Sequence, residues 1–122
     1  MATAPQRVLI ERTQQELALS VAETVGVWGS FIGLMLKRGI PARTGLVFRP
    51  AMGIHTFFMR FDLDLVYLDK QDAVTKVRSA MVPWRLDFTS AAACIELNAG
   101  EAGRAGVEVG DRLLFEPIIP LG

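Results

Sequence analysis

The sequence predicts a mostly β (α+β) fold, a small antiparallel β-sandwich or a partly open, distorted barrel with two short helices. Short runs of apolar and β-branched residues recur along the 122 residues, and turn or breaker residues separate them at close intervals. The segments with a helical pattern are short. Closely spaced hairpins with only short helical inserts favour this architecture over a parallel sheet.

Composition limits the class of protein. Apolar residues make up 51% of the chain and the mean hydropathy is +0.32, so a hydrophobic core can form without metal ions or disulfides. We expect a single domain over residues 6–122 and a disordered tail over residues 1–5. The 13 basic residues equal the 13 acidic residues, so no overall field attracts nucleic acid or an anionic membrane, and we expect neither as a partner.

The compartment is predicted from cysteine usage and from the hydrophobic segments. The single cysteine, Cys94, excludes an intramolecular disulfide and fits a reducing compartment. Residues 1–15 hold no apolar segment of the kind that a signal peptide needs. The most apolar run, residues 25–36, is too short for a bilayer span of about 20 residues. We therefore expect a soluble, cytoplasmic protein, and nothing in the sequence sets its oligomeric state.

The first half of the chain predicts three strands and a helix. Near alternation of apolar residues predicts strands over residues 7–13 and 16–24, joined by a turn at residues 14–15. Residues 25–36 are apolar around most of a helix circumference, which predicts a short buried helix. A short apolar strand is expected over residues 46–48.

The second half begins with the strongest strand pattern of the chain. Residues 56–68 are apolar on both faces, which is typical of a central strand. A polar turn at residues 69–72 leads to a returning strand over residues 73–81. Pro83 is predicted to end that strand and to begin a loop that runs to Ala92.

The C-terminal part predicts a capped helix between two strands. After a strand over residues 93–97, Asn98 and Glu101 have the spacing of a capping box, so a short helix is expected to start there. The turn at Gly110 and Asp111 leads into the last strand, over residues 112–115.

Ionisable residues of the long predicted strand form the first candidate site. Side chains alternate along a strand, so Arg60, Asp62 and Asp64 are expected on one face, where Arg60 can pair with either carboxylate. One interpretation is a ligand site held by a rigid strand. The other is a structural ion pair, or an Asp64 that accepts hydrogen bonds from loop amides.

Two further features have a functional and a structural interpretation. His55 has the acid–base chemistry of a catalytic residue, but it can equally be a hydrogen-bonded structural residue. Trp84 and Arg85 can form a stacking platform for a ligand, or a lid that covers the core. Cys94 lies between apolar neighbours in a strand and is interpreted as a small buried hydrophobe.

Most well-known catalytic signatures are absent from the sequence. It contains neither a phosphate-binding P-loop nor a nucleophile elbow. One histidine and one cysteine cannot supply the four ligands of an ordinary structural zinc site. No metal and no cofactor is therefore expected.

Several of these motifs together resemble one known family. They are HTFFMRFDLDLVYLD (55–69), PWR (83–85) and ELNAGEAGRAGVEVGDRL (96–113), with GLM (33–35) and GLVF (45–48) upstream. The chain resembles, from about Val8 to Phe115, the uncharacterised bacterial and archaeal family known as domain of unknown function 192. The resemblance implies a small β-sandwich or distorted barrel, and it leaves the biochemical function open.

The resemblance also marks individual residues. It places five residues on the family's signature strand, His55, Thr56, Met59, Arg60 and Asp64, and Gly100, Gly110 and Asp111 on the helix and turn near the C-terminus. This chain departs from the family's usual pattern at Asp62, which is an added charge, and at Ala51, where many members have a cysteine. The combined candidate ligand site is His55, Met59, Arg60, Asp64, Trp84 and Arg85.

Three functions remain open from the sequence. The first is a small binding or accessory domain with a pocket near the strand from His55 to Asp64, which binds a small-molecule ligand. The second is an enzyme that acts on a small anionic or sugar-like ligand through His55, Arg60 and Asp64. The third is a regulatory or nucleic-acid-associated protein, against which the zero net charge argues.

Overall fold

Nine strands and one short helix make up the described part of the chain, which is residues 5–24, 40–55 and 61–118 of a computed structural model. In chain order they are β1 (Gln6–Ile10), β2 (Glu16–Thr24), β3 (Thr44–Phe48), β4 (Ala51–His55), β5 (Leu63–Leu68), β6 (Val74–Met81), β7 (Leu86–Ala91), β8 (Ala93–Asn98), α1 (Glu101–Ala105) and β9 (Leu113–Pro117). The mostly β fold is thereby confirmed. The helix expected over residues 25–36 lies outside the described residues.

Seven of the strands form one curled sheet. Their order is β6-β5-β8-β3-β2-β1-β9, and the sheet curls into a half-barrel, as the expected partly open barrel requires. β4 and β7 form a separate two-stranded sheet. All pairs are antiparallel except β2 and β3, which run parallel. The chain leaves β2 at Thr24 and enters β3 at Thr44 in the same direction, which needs the long connection between them.

The seven-stranded sheet has a hydrophobic core on each face. The helix-side core packs strand side chains against α1 and includes Val8, Ile10, Leu17, Val21, Val66, Ile95, Leu97, Ala102 and Ala105. The strand-side core includes Ala51, Leu63, Leu65, Tyr67, Met81 and Cys94, with Ile40, Leu46, Phe61 and Ala91 packed against it. Alternate side chains of β5 enter the two cores, so every residue of this strand is buried, as expected for a strand covered on both faces.

The long strand predicted over residues 56–68 is wrong in extent. β5 begins only at Leu63, and Phe61 and Asp62 lie outside any strand. His55 ends β4, which belongs to the other sheet. Only the residues from Leu63 to Leu68 form the strand that is buried on both faces of the sheet. An apolar run alone does not mark where one strand stops and the next segment starts.

The loop predicted from Pro83 to Ala92 is also wrong, because it contains β7. This strand pairs with β4, with Ala51 opposite Ala91 and His55 opposite Leu86. A strand with one buried face normally buries its apolar residues, but in β7 Leu86 and Phe88 are exposed while Asp87 is buried. A strand with exposed apolar residues and a buried carboxylate does not show the expected alternation.

The capping box at Asn98 is wrong as well. The N-cap of α1 is Gly100 in a left-handed conformation, with φ 95° and no side-chain cap of its own. The Asn98 side chain instead holds the backbone of Ile40: its amide nitrogen donates to the Ile40 carbonyl at 2.6 Å, and its oxygen accepts from the Ile40 N–H at 3.4 Å. Glu101 pairs with Arg104 one turn further on.

Candidate functional site

The Asp64 carboxylate is buried and fully engaged with backbone amides. It accepts hydrogen bonds from the N–H groups of Ala80 (2.8 Å), Gly100 (3.0 Å) and Ala102 (2.9 Å). These bonds join β5 to β6 and to the start of α1, where a negative charge also suits the helix dipole. Among the described residues the contacts of Asp64 are thus those of a structural anchor.

The remaining signature-strand residues are not brought to Asp64 by one continuous strand. Met59 and Arg60 lie outside the described residues, so the ion pair of Arg60 with Asp64 stays a prediction. The backbone of His55 pairs with Leu86 in the two-stranded sheet, whereas Asp64 belongs to the seven-stranded sheet. The premise that His55 directly precedes the strand of Asp64 is therefore wrong.

Trp84 and Arg85 lie in the connection between β6 and β7. Trp84 has a positive φ of 64° and about half of its surface, 55%, is exposed. Arg85 donates from Nη1 to the Trp84 carbonyl at 3.2 Å. Part of the Trp84 side chain is therefore exposed to solvent. The Arg85 guanidinium is hydrogen-bonded to the Trp84 backbone beside it.

Glu96 is an ionisable residue that the sequence analysis did not single out. It lies in the middle of β8, opposite Leu46 of β3 and Leu65 of β5. Because it is two residues from Cys94 on the same strand, it faces the strand-side core. Only 5% of its surface is exposed.

No described residue forms a hydrogen bond or an ion pair with the Glu96 carboxyl group. Burial raises the pKa of this carboxyl group to about 8. At neutral pH the group is therefore mostly protonated, and it can both donate and accept one hydrogen bond in apolar surroundings. A carboxyl group kept neutral by an apolar site is a recurrent property of functional sites.

A second buried polar group faces the same core. Tyr67 lies on β5, opposite Cys94 of β8. Its hydroxyl oxygen has no hydrogen-bond partner among the described residues. Burial, and then the proximity of Cys94 and Asp87, raise the pKa of this hydroxyl group. Tyr67 and Glu96 are diagonal neighbours across two paired strands, a spacing of roughly 7–8 Å between backbones.

The edge of the strand-side core is closed by a charged cluster around Asp87. The Asp87 carboxylate, 2% exposed, accepts from Arg78 at 2.9 Å and lies 3.4 Å from Lys76. The Thr89 amide donates to its other oxygen at 2.8 Å. Burial alone would raise the pKa of Asp87, but these bonds from Thr89 and Arg78 lower it well below its ordinary value. The cluster links β6 to β7 and so links the two sheets.

An open cleft of about 590 Å³ lies at the far end of β5 from Asp64. It is lined by Pro50, Leu68, Asp69, Lys70, Thr75, Ser90, Ala91 and Ala92. Its lining is mainly apolar, and the Asp69 carboxylate is already used by the amides of the hairpin turn. The volume suits a small molecule, but the lining includes neither Glu96 nor Tyr67.

A sequence signal for Glu96 did exist. It is the single charged residue between Phe88 and Gly100, inside an otherwise apolar strand. A strand buried on both faces normally reads as a continuous apolar run, so one carboxylate within it is an exception. The charges of residues 60–64 are more numerous, and charge density alone therefore favours that segment over Glu96.

In residues 5–24, 40–55 and 61–118, no group of three or more His, Cys, Asp or Glu side chains is placed to hold a metal ion. No helix of this part of the chain is long and apolar enough to cross a membrane.

The fold and the buried carboxyl group define a small, mostly β domain with an ionisable residue in its strand-side core. Residues 8–115 match the profile of the family DUF192, described as uncharacterised ACR. The chain therefore belongs to the domain of unknown function 192 family, as the sequence motifs indicated. No curated protein matches the sequence.

Two crystal structures have the same fold. One is a Sinorhizobium meliloti 1021 protein provisionally named as a transcription regulator, with a TM-score of 0.78, 26% identity, and coverage of 94% of this chain and 96% of that one. The other is a protein of unknown function from Novosphingobium aromaticivorans DSM 12444, with a TM-score of 0.71, 19% identity, and coverage of 93% and 92%. The family and these structures support no specific biochemical function.

Proposed function

We propose that this chain is a small-molecule-binding domain whose ligand enters the strand-side core and contacts Glu96 and Tyr67. The observation that carries the proposal is the Glu96 carboxyl group, which is buried in the strand-side core and whose pKa burial raises to about 8. A buried polar group without a partner costs about 1–3 kcal/mol. The Tyr67 hydroxyl on the same face is such a group, so a ligand that forms a hydrogen bond with it would offset this cost.

The chemistry of the two groups defines the ligand class. A protonated carboxyl group and a phenol each donate and accept hydrogen bonds, so they favour a neutral polar group such as an amide, a hydroxyl or a carbonyl. The surrounding side chains Leu46, Leu65 and Cys94 favour an apolar body. A cationic ligand would need Glu96 ionised, and the nearest described acidic cluster, at Asp87, is already neutralised by Arg78 and Lys76.

A ligand series with one variable group tests the proposal. Hexanamide, hexanol, hexylamine and hexane would be titrated into ¹⁵N-labelled protein, and amide shifts would be followed by NMR. We expect hexanamide and hexanol to shift the amides of Leu65, Tyr67, Cys94 and Glu96, and hexylamine and hexane to act at least 10-fold more weakly. Glu96→Gln keeps a donor and an acceptor and should bind within about threefold of wild type.

Two controls separate binding from general effects. Glu96→Leu removes the polar group and should lose the preference for hexanamide over hexane, whereas Glu11→Gln, at an exposed turn, should keep it. The proposal is wrong if no member of the series shifts the β5 and β8 amides. It is equally wrong if Glu96→Leu retains the same preference as wild type.

An acid–base enzyme is the second candidate, and the pKa of Glu96 favours it. A carboxyl group that titrates near neutral pH is suited to general acid–base catalysis. The neighbouring Cys94 thiol is no nucleophile, because burial raises its pKa well above the ordinary value. A substrate that is turned over by wild type but not by Glu96→Gln would favour this candidate over simple binding.

A regulatory role is favoured by the name of the Sinorhizobium meliloti structure. A ligand-binding domain can regulate transcription through a partner without touching DNA. The basic residues Arg43 and Arg49 pair with carboxylates of β2 and of the β5–β6 turn. We expect no sequence-specific duplex binding, and a titration at about 150 mM salt with submicromolar, sequence-dependent affinity would reverse this expectation.

A cytoplasmic location is part of the same proposal. The supporting observation is Cys94, a free and buried thiol. A fluorescent fusion that fractionates with cytoplasmic markers would agree with it, and one recovered from an extracytoplasmic fraction would not.

A further inference from the structure

The cleft beside the β5–β6 turn is lined by charges of both signs. Its volume is about 590 Å³, and its lining includes Asp69 and Lys70 together with two hydroxyl-bearing residues, Thr75 and Ser90. The remaining lining residues are apolar: Pro50, Leu68, Ala91 and Ala92. Because one carboxylate balances one ammonium group, the cleft favours neither a net anion nor a net cation.

The Asp69 carboxylate is held by only one of its two oxygens. Oδ1 accepts hydrogen bonds from the backbone N–H groups of Gln71 at 2.8 Å and of Ala73 at 3.0 Å. Oδ2 has no hydrogen bond or ion pair with a described residue. The turn therefore orients this carboxylate and leaves its second oxygen able to accept from a cationic group of a ligand.

Lys70 and Ser90 are also left unused by the fold. Both residues are exposed, and neither the Lys70 ammonium group nor the Ser90 hydroxyl group bonds to a described residue. Lys76 of β6, by contrast, is held by Asp87 and Thr89. Lys70 can therefore pair with an anionic group of a ligand, and Ser90 can donate a further hydrogen bond to that group.

We propose that this cleft binds a small zwitterion with an aliphatic body, an α-amino acid of the leucine type. Asp69 pairs with the ammonium group of the ligand, while Lys70 and Ser90 hold its carboxylate. The small side chains of Ala91 and Ala92 leave room for a branched aliphatic group. A nucleotide or another polyanion is disfavoured, because it would meet the Asp69 carboxylate.

Three ligands with the same aliphatic body test the site. L-Leucine, 4-methylpentanoate, which lacks the ammonium group, and 3-methylbutylamine, which lacks the carboxylate, would be titrated into ¹⁵N-labelled protein at neutral pH. We expect leucine to shift the backbone amides of Lys70, Thr75 and Ser90. Since an exposed ion pair contributes at most about fivefold to affinity, each single-charge ligand should bind about two- to fivefold more weakly.

Two variants each remove one charge and keep the turn. Asp69→Asn retains an oxygen that accepts from the Gln71 and Ala73 amides, and it should abolish the advantage of leucine over 4-methylpentanoate. Lys70→Gln should abolish the advantage of leucine over 3-methylbutylamine. Gln71→Ala, an exposed neighbour that does not line the cleft, is the matched control and should keep both preferences.

The proposal is overturned if leucine shifts none of these amides, or if all three ligands bind equally, which would show an apolar cleft without charge recognition. Wild-type preferences in both Asp69→Asn and Lys70→Gln would overturn it as well. Since Glu96 does not line the cleft, Glu96→Leu should leave leucine binding unchanged. Loss of leucine binding in Glu96→Leu would instead place leucine in the strand-side core, so the two sites can fail independently.

Discussion

Replacing Glu96 with glutamine is expected to remove most of the pH dependence of stability between pH 5 and pH 8. In the unfolded chain this carboxyl group has an ordinary pKa near 4.5, and burial raises it to about 8 in the folded protein. Between these values the unfolded state has lost its proton while the folded state keeps it. Stability is therefore full below pH 4.5 and falls as pH rises toward 8.

The magnitude follows from the same two values. Each pH unit in this interval costs about 1.4 kcal/mol, so wild type should lose about 4 kcal/mol between pH 5 and pH 8. A small domain has only about 5–15 kcal/mol of stability in total, so the loss is easily measured. Glu96→Gln cannot ionise and should be the more stable protein at pH 8, while the two proteins should be similar at pH 5.

Urea denaturation at pH 5, 6, 7 and 8 measures the effect. The difference between wild type and Glu96→Gln cancels the contributions of titrating groups that do not interact with Glu96. Glu11→Gln, at an exposed turn, serves as the matched control and should follow wild type. Parallel curves for wild type and Glu96→Gln over this range would show that the carboxyl group is ionised in the folded protein, and the argument for the site would fail.

Three further changes test how the fold holds the site. Asp64→Ala leaves three backbone amides without an acceptor and should lower the free energy of unfolding by at least about 3 kcal/mol, with faster hydrogen exchange at those amides. A loss below about 1 kcal/mol would contradict the anchor role. Asp87 has a lowered pKa, so its stabilisation is present above about pH 3.8 and lost below it. Asp87→Asn should therefore be less stable than wild type at pH 6 and approach it at pH 2; a constant difference in acid melts would exclude this. Gly45→Ala places a Cβ 2.7 Å from the Glu96 carbonyl and should cost about 1–3 kcal/mol in thermal melts, whereas Gly103→Ala, with open space around it, should be neutral or stabilising; equal effects would refute the close approach.

The overall fold was predictable because local patterns agreed with it. The bounds of β2, the β5–β6 hairpin with its polar turn and the start of β8 at Ala93 follow from apolar runs and turn residues. That turn can be predicted from the sequence because the Asp69 carboxylate accepts hydrogen bonds from the amides of Gln71 and Ala73. These bonds are local and need no tertiary partner. Such signals are contained in adjacent residues.

The errors arose where a distant residue determines the local structure. α1 has Gly100 as its N-cap because Asp64, 36 residues earlier, supplies the acceptor that a local cap would otherwise provide. Asp87 is tolerated inside the protein because Arg78 and Lys76 of the neighbouring strand neutralise it. No periodicity in the sequence records these pairings.

The candidate site shows the same limit. The importance of Glu96 depends on β3 and β5 lying on either side of β8, which is a property of strand order. Residue type alone points to the charges of residues 60–64, where Asp64 is held by backbone amides. Both carboxyl groups are buried, and hydrogen bonding distinguishes them: Asp64 accepts three backbone amides, whereas Glu96 has no such partner among the described residues.

The protonation state of Glu96 is the most direct test, and ¹³C NMR of the side-chain carboxyl carbons measures it. Protein labelled at glutamate would be titrated from pH 4 to pH 9, with the Glu96 resonance assigned from its absence in Glu96→Gln. We expect this resonance to titrate with a midpoint near pH 8, well apart from the other glutamates, and to move when hexanamide binds. A midpoint below pH 5 would mean an ionised, solvated carboxylate and would contradict the proposed site.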